Sequence, residues 1–167
     1  MKLELHNLSR DDGFDVFEML NCINSEENHF TNPVRGMTYD QFQAWLKQQE
    51  QWSLGKSLPD GYSRQRIYWL YMGGRPVGFG KLRYELTDQL RDNGGNIGYA
   101  IAPEYRGYGL GTVFLGLLIE EAKREGITEV LLTIDKSNRA SVRVAERNGC
   151  VLISENSNRY YYGRSIR

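Results

Sequence analysis

The residues with the plainest capacity for chemistry stand between Asn96 and Thr112, in the run N-I-G-Y-A-I-A-P-E-Y-R-G-Y-G-L-G-T. An apolar stretch ends at Pro103, a loop holds Arg106, Gly107, Gly109 and Gly111, and an amphipathic pattern begins at Leu110. The first turn of a helix offers backbone N–H groups with no intrahelical partner, at the positive end of the macrodipole. Glycines at alternate positions let an anion approach those groups without meeting a Cβ, and Arg106 adds a fixed positive charge. Strand, glycine loop and helix start therefore form a phosphate grip, with Arg106, Gly107, Tyr108, Gly109, Leu110, Gly111 and Thr112 as its residues. Two common phosphate loops do not fit: no Gly-Lys-Ser/Thr occurs, and the glycines run G-x-G-x-G rather than G-x-G-x-x-G.

The elements that must position this loop follow from periodicity. Lys2 to Leu8 alternates as a half-buried strand. Ser9 is the cap expected for a helix that sets Phe14, Phe17, Leu20 and Ile23 toward the core. Thr38 with Gln41 makes a capping box for a second helix, whose apolar face is Tyr39, Phe42, Trp45 and Leu46. Between the two helices, Asn24 to Asn32 is a polar loop in which Glu26 and Glu27 read as solvated charges. Strands are expected at Ile67 to Met72 and Val77 to Leu86, joined by a turn at Gly73 to Pro76. Thr87 to Gly95 reads as a polar loop or short helical turn.

On the second of those strands, alternation gathers Val77, Phe79, Lys81, Arg83 and Glu85 on one face. The central strand sets Asn96, Gly98 and Ala100 against Ile97, Tyr99 and Ile101. Leu110, Val113, Phe114, Leu117, Leu118 and Ala122 form one helical stripe that stops at Gly126. Val130 to Ile134 reads as an interior strand covered on both faces. A helix from Asn138 to about Gly149, then strands over Cys150–Ile153 and Arg159–Gly163, complete the order β-α-α-β-β-β-α-β-α-β-β. That order implies an α/β fold with a mixed sheet of about seven strands and helices on both faces.

Length and composition narrow the partners. The 167 residues suit one domain. The 21 basic and 21 acidic residues cancel, which favours neither nucleic acid nor a membrane surface. Cys22 and Cys150 lie far apart and the N-terminus has no apolar leader, which points to a reduced, cytoplasmic protein. His6 and His29 lack ligand partners at useful spacing, so no metal site is expected.

The pattern Arg106-x-x-Gly109-x-Gly111, placed after I-A-P-E-Y and before V-F-L-G-L-L, resembles the coenzyme A pyrophosphate loop of the GNAT N-acetyltransferase superfamily. The strand V-L-L-T-I-D and the segment N-R-A-S-V-R-V-A-E-R-N-G-C follow in that superfamily's order, so the likeness runs from about Ile67 to Tyr162. The block K-L-R-Y-E-L-T-D-Q-L-R-D-N-G-G-N-I-G-Y is similar to a bacterial branch of predicted acetyltransferases, in which a His is common where Asn96 stands. The resemblance implies that acetyl-CoA lies in a V between the fold's fourth and fifth strands, with no metal. It further implies pantetheine along Tyr99, Ile101 and Ala102, diphosphate on the loop, and Asn138 beside the pantetheine arm. A homodimer through the C-terminal strands is also implied, and the loop from Asn24 to Asn32, between the first two helices, becomes by the same resemblance a candidate substrate loop.

The implied reaction is direct attack of an amine on the thioester. An alkyl ammonium has a pKa of roughly 10.4, so something must take its proton. Glu85 is the expected base, with Asn96 and Tyr99 as further catalytic candidates on the central strand. Arg83 is the expected anchor for a carboxylate on a small, amino-acid-like acceptor. Many members carry a Tyr seven residues after the helix-opening Asn as acid for the leaving thiolate. Here that position is Ala145, leaving Ser141, Tyr108 or Tyr160 to Tyr162 as the available hydroxyls. Two other readings are a CoA-binding domain without turnover and an acetyltransferase acting on protein lysines or N-termini.

Overall fold

The computed structural model describes all 167 residues. Seven long strands form two sheets. The first has the order β1-β4-β5-β6, with β1 at Leu3–Asn7, β4 at Gln65–Met72, β5 at Arg75–Arg83 and β6 at Ile97–Ile101. The second has the order β7-β9-β8, with β7 at Glu129–Asp135, β8 at Val151–Glu155 and β9 at Arg159–Ser165. Every paired neighbour runs antiparallel. Two two-residue strands, β2 (Glu26–Glu27) and β3 (Phe30–Thr31), make a separate hairpin.

The helices cover both faces, as the element order implies. β4 shows why: Ile67 and Trp69 join one core cluster with α1 (Phe14–Cys22) and α2 (Tyr39–Ser53), while Tyr68 and Leu70 join another with α4 (Leu110–Arg124). The capping box at Thr38 and Gln41 forms in both directions. Thr87 caps the short helix α3 (Asp88–Asp92), and Asn138 caps α5 (Arg139–Arg147) through Ser141 N.

Four local readings need correction. Ser9 closes a turn with Asp11 and Asp12 instead of capping α1, whose N-cap is Gly13. Leu20 and Ile23 are buried as expected and Phe17 packs against the same cluster, but Val16 and Met19 complete the core face of α1 and Phe14 is 54% exposed. The loop between α1 and α2 is pinned by the β2–β3 hairpin and by Asn32, whose Nδ2 donates to Leu20 O and Ile23 O. Finally, β7 alternates buried and half-buried residues, because it is an edge strand with its outer side turned to a cleft.

The two sheets meet at one place. Asn96 N donates to Leu131 O at 2.8 Å, and Asn96 Oδ1 accepts from Leu131 N at 2.8 Å. Asn96 Nδ2 donates to Arg83 O at 3.1 Å. Gly95 makes this approach possible: its φ is +64°, and a Cβ there would collide with the Leu131 carbonyl. Beyond this apex β6 and β7 part.

Candidate functional site

The space between the parted strands is a cleft of about 550 Å³, lined by backbone and side chains of both β6 and β7. Its mouth is the predicted loop. Gly107 and Gly109 have φ of 85° and 78°, and a Cβ at either would meet nothing within 4 Å. These glycines are therefore needed for their left-handed backbone more than for room. Gly109 is the N-cap of α4 and offers no side-chain cap. The backbone N–H groups from Gly107 to Thr112 find no acceptor within the protein. That run of donors at a helix start fits the diphosphate of a coenzyme A thioester.

The open edge of β6 supplies a second set of donors. Past Asn96, whose N–H goes to β7 and whose carbonyl goes to Arg83 N, Ala102 N donates to Val77 O, so Gly98, Ala100 and Ala102 turn their backbone groups to β5. Tyr99 and Ile101 then turn theirs to the cleft. Ile101 O is taken by Arg106 Nε at 2.9 Å. Ala102, 1% exposed and bonded to Val77, packs toward α1 and α2 instead of lining the cleft, which corrects its assignment to the cofactor. Tyr108 is 78% exposed and its side chain is not part of the lining, leaving only its backbone in the loop.

Across the cleft, Tyr99 reaches α5. Its Oη lies 3.2 Å from Ser141 Oγ, which also accepts from Asn138 Nδ2 at 3.0 Å. Burial raises the Tyr99 pKa, partly opposed by the Ser141 bond. Ala145 is fully buried, so that helix position presents no hydroxyl. Tyr161 bonds Asp92 and Tyr162 bonds Glu146, both away from the cleft. Of the hydroxyls considered, Ser141 is the one placed with Tyr99.

The structure separates the remaining candidates. Arg83 lines the cleft, but its NH1 donates to Gly94 O and Gly95 O at 3.2 Å each, and burial lowers its pKa to about 10. Glu85 lies outside the cleft: β5 ends at Arg83, the chain turns, and Glu85 faces a depression shared with Arg64 and Glu125, its carbonyl accepting from Ser63. Asn96 is 4% exposed with its amide committed at the apex, so it joins the sheets instead of meeting a substrate.

Three cleft groups lay outside the expected set. The β2–β3 hairpin crosses the opening and is fastened at both sides: Glu27 Oε1 meets Arg106 NH1 at 3.0 Å, and His29 Nδ1 meets the Asp135 carboxylate at 2.9 and 3.0 Å. His29 Nε2 lies 3.4 Å from Arg159 NH2, and Arg159 Nε lies 3.6 Å from Asp135. Asn28 and His29 both hold positive φ, 51° and 66°, a strained backbone for side-chain-bearing residues. Position within the candidate substrate loop was the available signal for His29 and Glu27. Asp135 gave none, since it follows His29 by 106 residues.

A family model described as "Acetyltransferase (GNAT) domain" matches residues 2–151. No curated protein sequence matches the chain. Solved structures do. The ribosomal L7/L12 alpha-N-protein acetyltransferase RimL, in complex with coenzyme A, superposes with a TM-score of 0.74 at 16% identity, over 99% of this chain and 95% of that one. The microcin C7 self-immunity acetyltransferase MccE, with acetyl-CoA and AMP, gives 0.71 at 15%, over 99% and 93%. Campylobacter jejuni N-acetyltransferase PseH, with acetyl coenzyme A, gives 0.65 at 15%, over 98% and 99%. A glycine loop at the open start of α4, a V between β6 and β7, and a family match across most of its length place this chain in the GNAT acetyltransferase family.

Proposed function

We propose that the protein is an acetyl-CoA-dependent N-acetyltransferase acting on a primary amine of a small-molecule or amino-acid-like acceptor. The observation that carries this reading is the uninterrupted run of partnerless N–H groups from Gly107 to Thr112 at the mouth of the β6/β7 cleft. Acetyl-CoA supplies an activated thioester. The loop donors hold its diphosphate, and the backbone N–H groups of Tyr99 and Ile101 on the open edge of β6 hold the pantetheine arm, Ile101 O being taken by Arg106 Nε. A backbone N–H on that edge faces the oxygen where negative charge develops during attack. Asn138, as cap of α5, keeps Ser141 facing Tyr99.

Proton traffic falls to two groups. His29, oriented through Nδ1 by Asp135, takes the proton of the acceptor ammonium at Nε2, which frees the nitrogen lone pair. The new C–N bond forms, the C–S bond breaks, and the proton shed by the new amide nitrogen reaches the thiolate through the Tyr99–Ser141 hydroxyl pair. Imidazole replaces Glu85 as the base because it lies in the cleft and Glu85 does not.

Calorimetric titration of acetyl-CoA into the wild type and into Gly109→Trp tests the donor half. Micromolar binding that disappears in the variant supports it and justifies an amine screen for the acceptor. A wild type that binds nothing overturns it.

A further inference from the structure

Helix α5 carries Arg139, Arg143 and Arg147 at four-residue spacing, which stacks three like charges along one side of a short helix. None of them enters an ion pair. Glu146, the one acid on the helix, accepts instead from the Tyr162 hydroxyl at 3.1 Å. Such a stack weakens a helix unless an anion sits beside it.

Arg143 and Arg147 line the cleft together with Gly109, Gly111 and Thr112. Packing brings them there: Asn148 Nδ2 donates to Thr112 O at 3.1 Å, and Gly111 leaves α5 room to lay Val144 against the first turn of α4. Four arginines line the cleft, and the other two are engaged. Arg83 holds the carbonyls of Gly94 and Gly95, and Arg106 is shared between Ile101 O and the Glu27 carboxylate. Net positive charge at the mouth therefore comes from Arg143 and Arg147.

Coenzyme A carries two phosphate groups on one ribose: a 5′-diphosphate and a 3′-monoester of about −1.5 to −2 charge. Given the donor reading above, on which this rests, the loop N–H groups take the diphosphate and the monoester lies one sugar away from them. We propose that Arg143 and Arg147 form a phosphate-monoester subsite for the 3′-phosphate of the donor, so that the protein distinguishes CoA thioesters from their 3′-dephospho forms. Paired guanidinium groups suit a phosphate because each presents a planar fork of donors.

The test is calorimetry of acetyl-CoA and acetyl-3′-dephospho-CoA against the wild type and the Arg143→Gln/Arg147→Gln variant at one ionic strength. The wild type is expected to hold acetyl-CoA about tenfold tighter, with the preference shrinking as salt rises. In the double variant the preference falls below about twofold because only acetyl-CoA loses affinity. Both positions are exposed, and an unchanged melting temperature shows the variant folded. Equal affinities in the wild type overturn the subsite. So does a variant that weakens both ligands alike, since the arginines would then serve the diphosphate. A wild type that binds neither ligand sinks the donor reading itself, a distinct result.

Discussion

His29 is held from three directions: Asp135 at Nδ1, Glu26 at its backbone N–H, and Arg159 facing Nε2. The ring orientation is thereby set, and Nε2, the nitrogen that Asp135 does not hold, is shared with Arg159 until an acceptor takes that place. His29→Gln is expected to lower kcat/KM for the amine that the acceptor screen returns by about a hundredfold. Its acetyl-CoA affinity should stay within about twofold of the wild type, since the loop donors are untouched. A variant with unimpaired turnover would remove His29 from the mechanism. The same residue marks a limit of reading in one dimension. The glycine loop was legible because its chemistry is contiguous, a strand end, glycines and a helix start within the twelve residues from Ile101 to Thr112. The His29–Asp135 pair joins positions that only the fold brings together. Asn96 misled in the opposite sense, since a polar residue on a central strand looks like a site and here is a joint.

Among the elements, the β2–β3 hairpin shows how a loop without periodicity becomes structure. Besides its fastenings to Arg106 and Asp135, it is held from beneath by Lys81, whose Nζ donates to Thr31 O at 2.6 Å and lies 4.6 Å from the centre of the Phe30 ring. Alternation along β5 correctly put Lys81 on the face of Phe79, but nothing in a strand pattern says that a lysine will be covered. It is 6% exposed, and burial, with Arg83 adding a smaller push, lowers its pKa to about 7. The unfolded chain then binds more protons than the folded one between about pH 7 and the ordinary lysine range. Stability therefore rises with pH across that window, is lost as pH falls toward 7, and levels off below. Melting temperature is expected to climb from about pH 7 to 9 in the wild type and to stay flat in Lys81→Met. At pH 7 that variant should be about 1–2 kcal/mol more stable in denaturant titrations. A wild-type curve without slope would mean that the buried amine keeps its ordinary affinity for a proton.

At the scale of the whole molecule, seven strands were countable from the sequence, and so was their coverage by helices on both sides. What periodicity does not carry is that they divide four and three, because the division lies in hydrogen bonds that are missing between β6 and β7. The remaining links gather at the apex: the backbone N–H and the side chain of Asn96 on Leu131, and Gly94 N on Thr133 Oγ1. Asn96→Ala removes two buried side-chain hydrogen bonds, leaving Leu131 N without its partner. It is expected to cost about 2–3 kcal/mol by denaturant titration. Amide exchange should accelerate in both β6 and β7, and a change confined to β6 would show that the sheets are held together elsewhere.

The geometry of that joint makes the protein a pair of jaws with a fulcrum. From Asn96 to Ala102 the upper jaw is about 20 Å long at roughly 3.3 Å per residue. A turn of about 5° at the fulcrum therefore sweeps the tip through nearly 2 Å, more than the roughly 1 Å of misplacement that already slows an enzyme about a hundredfold. Gly95 and Asn96 thus act as a mechanical reference, and errors at the narrow end are magnified at the wide one.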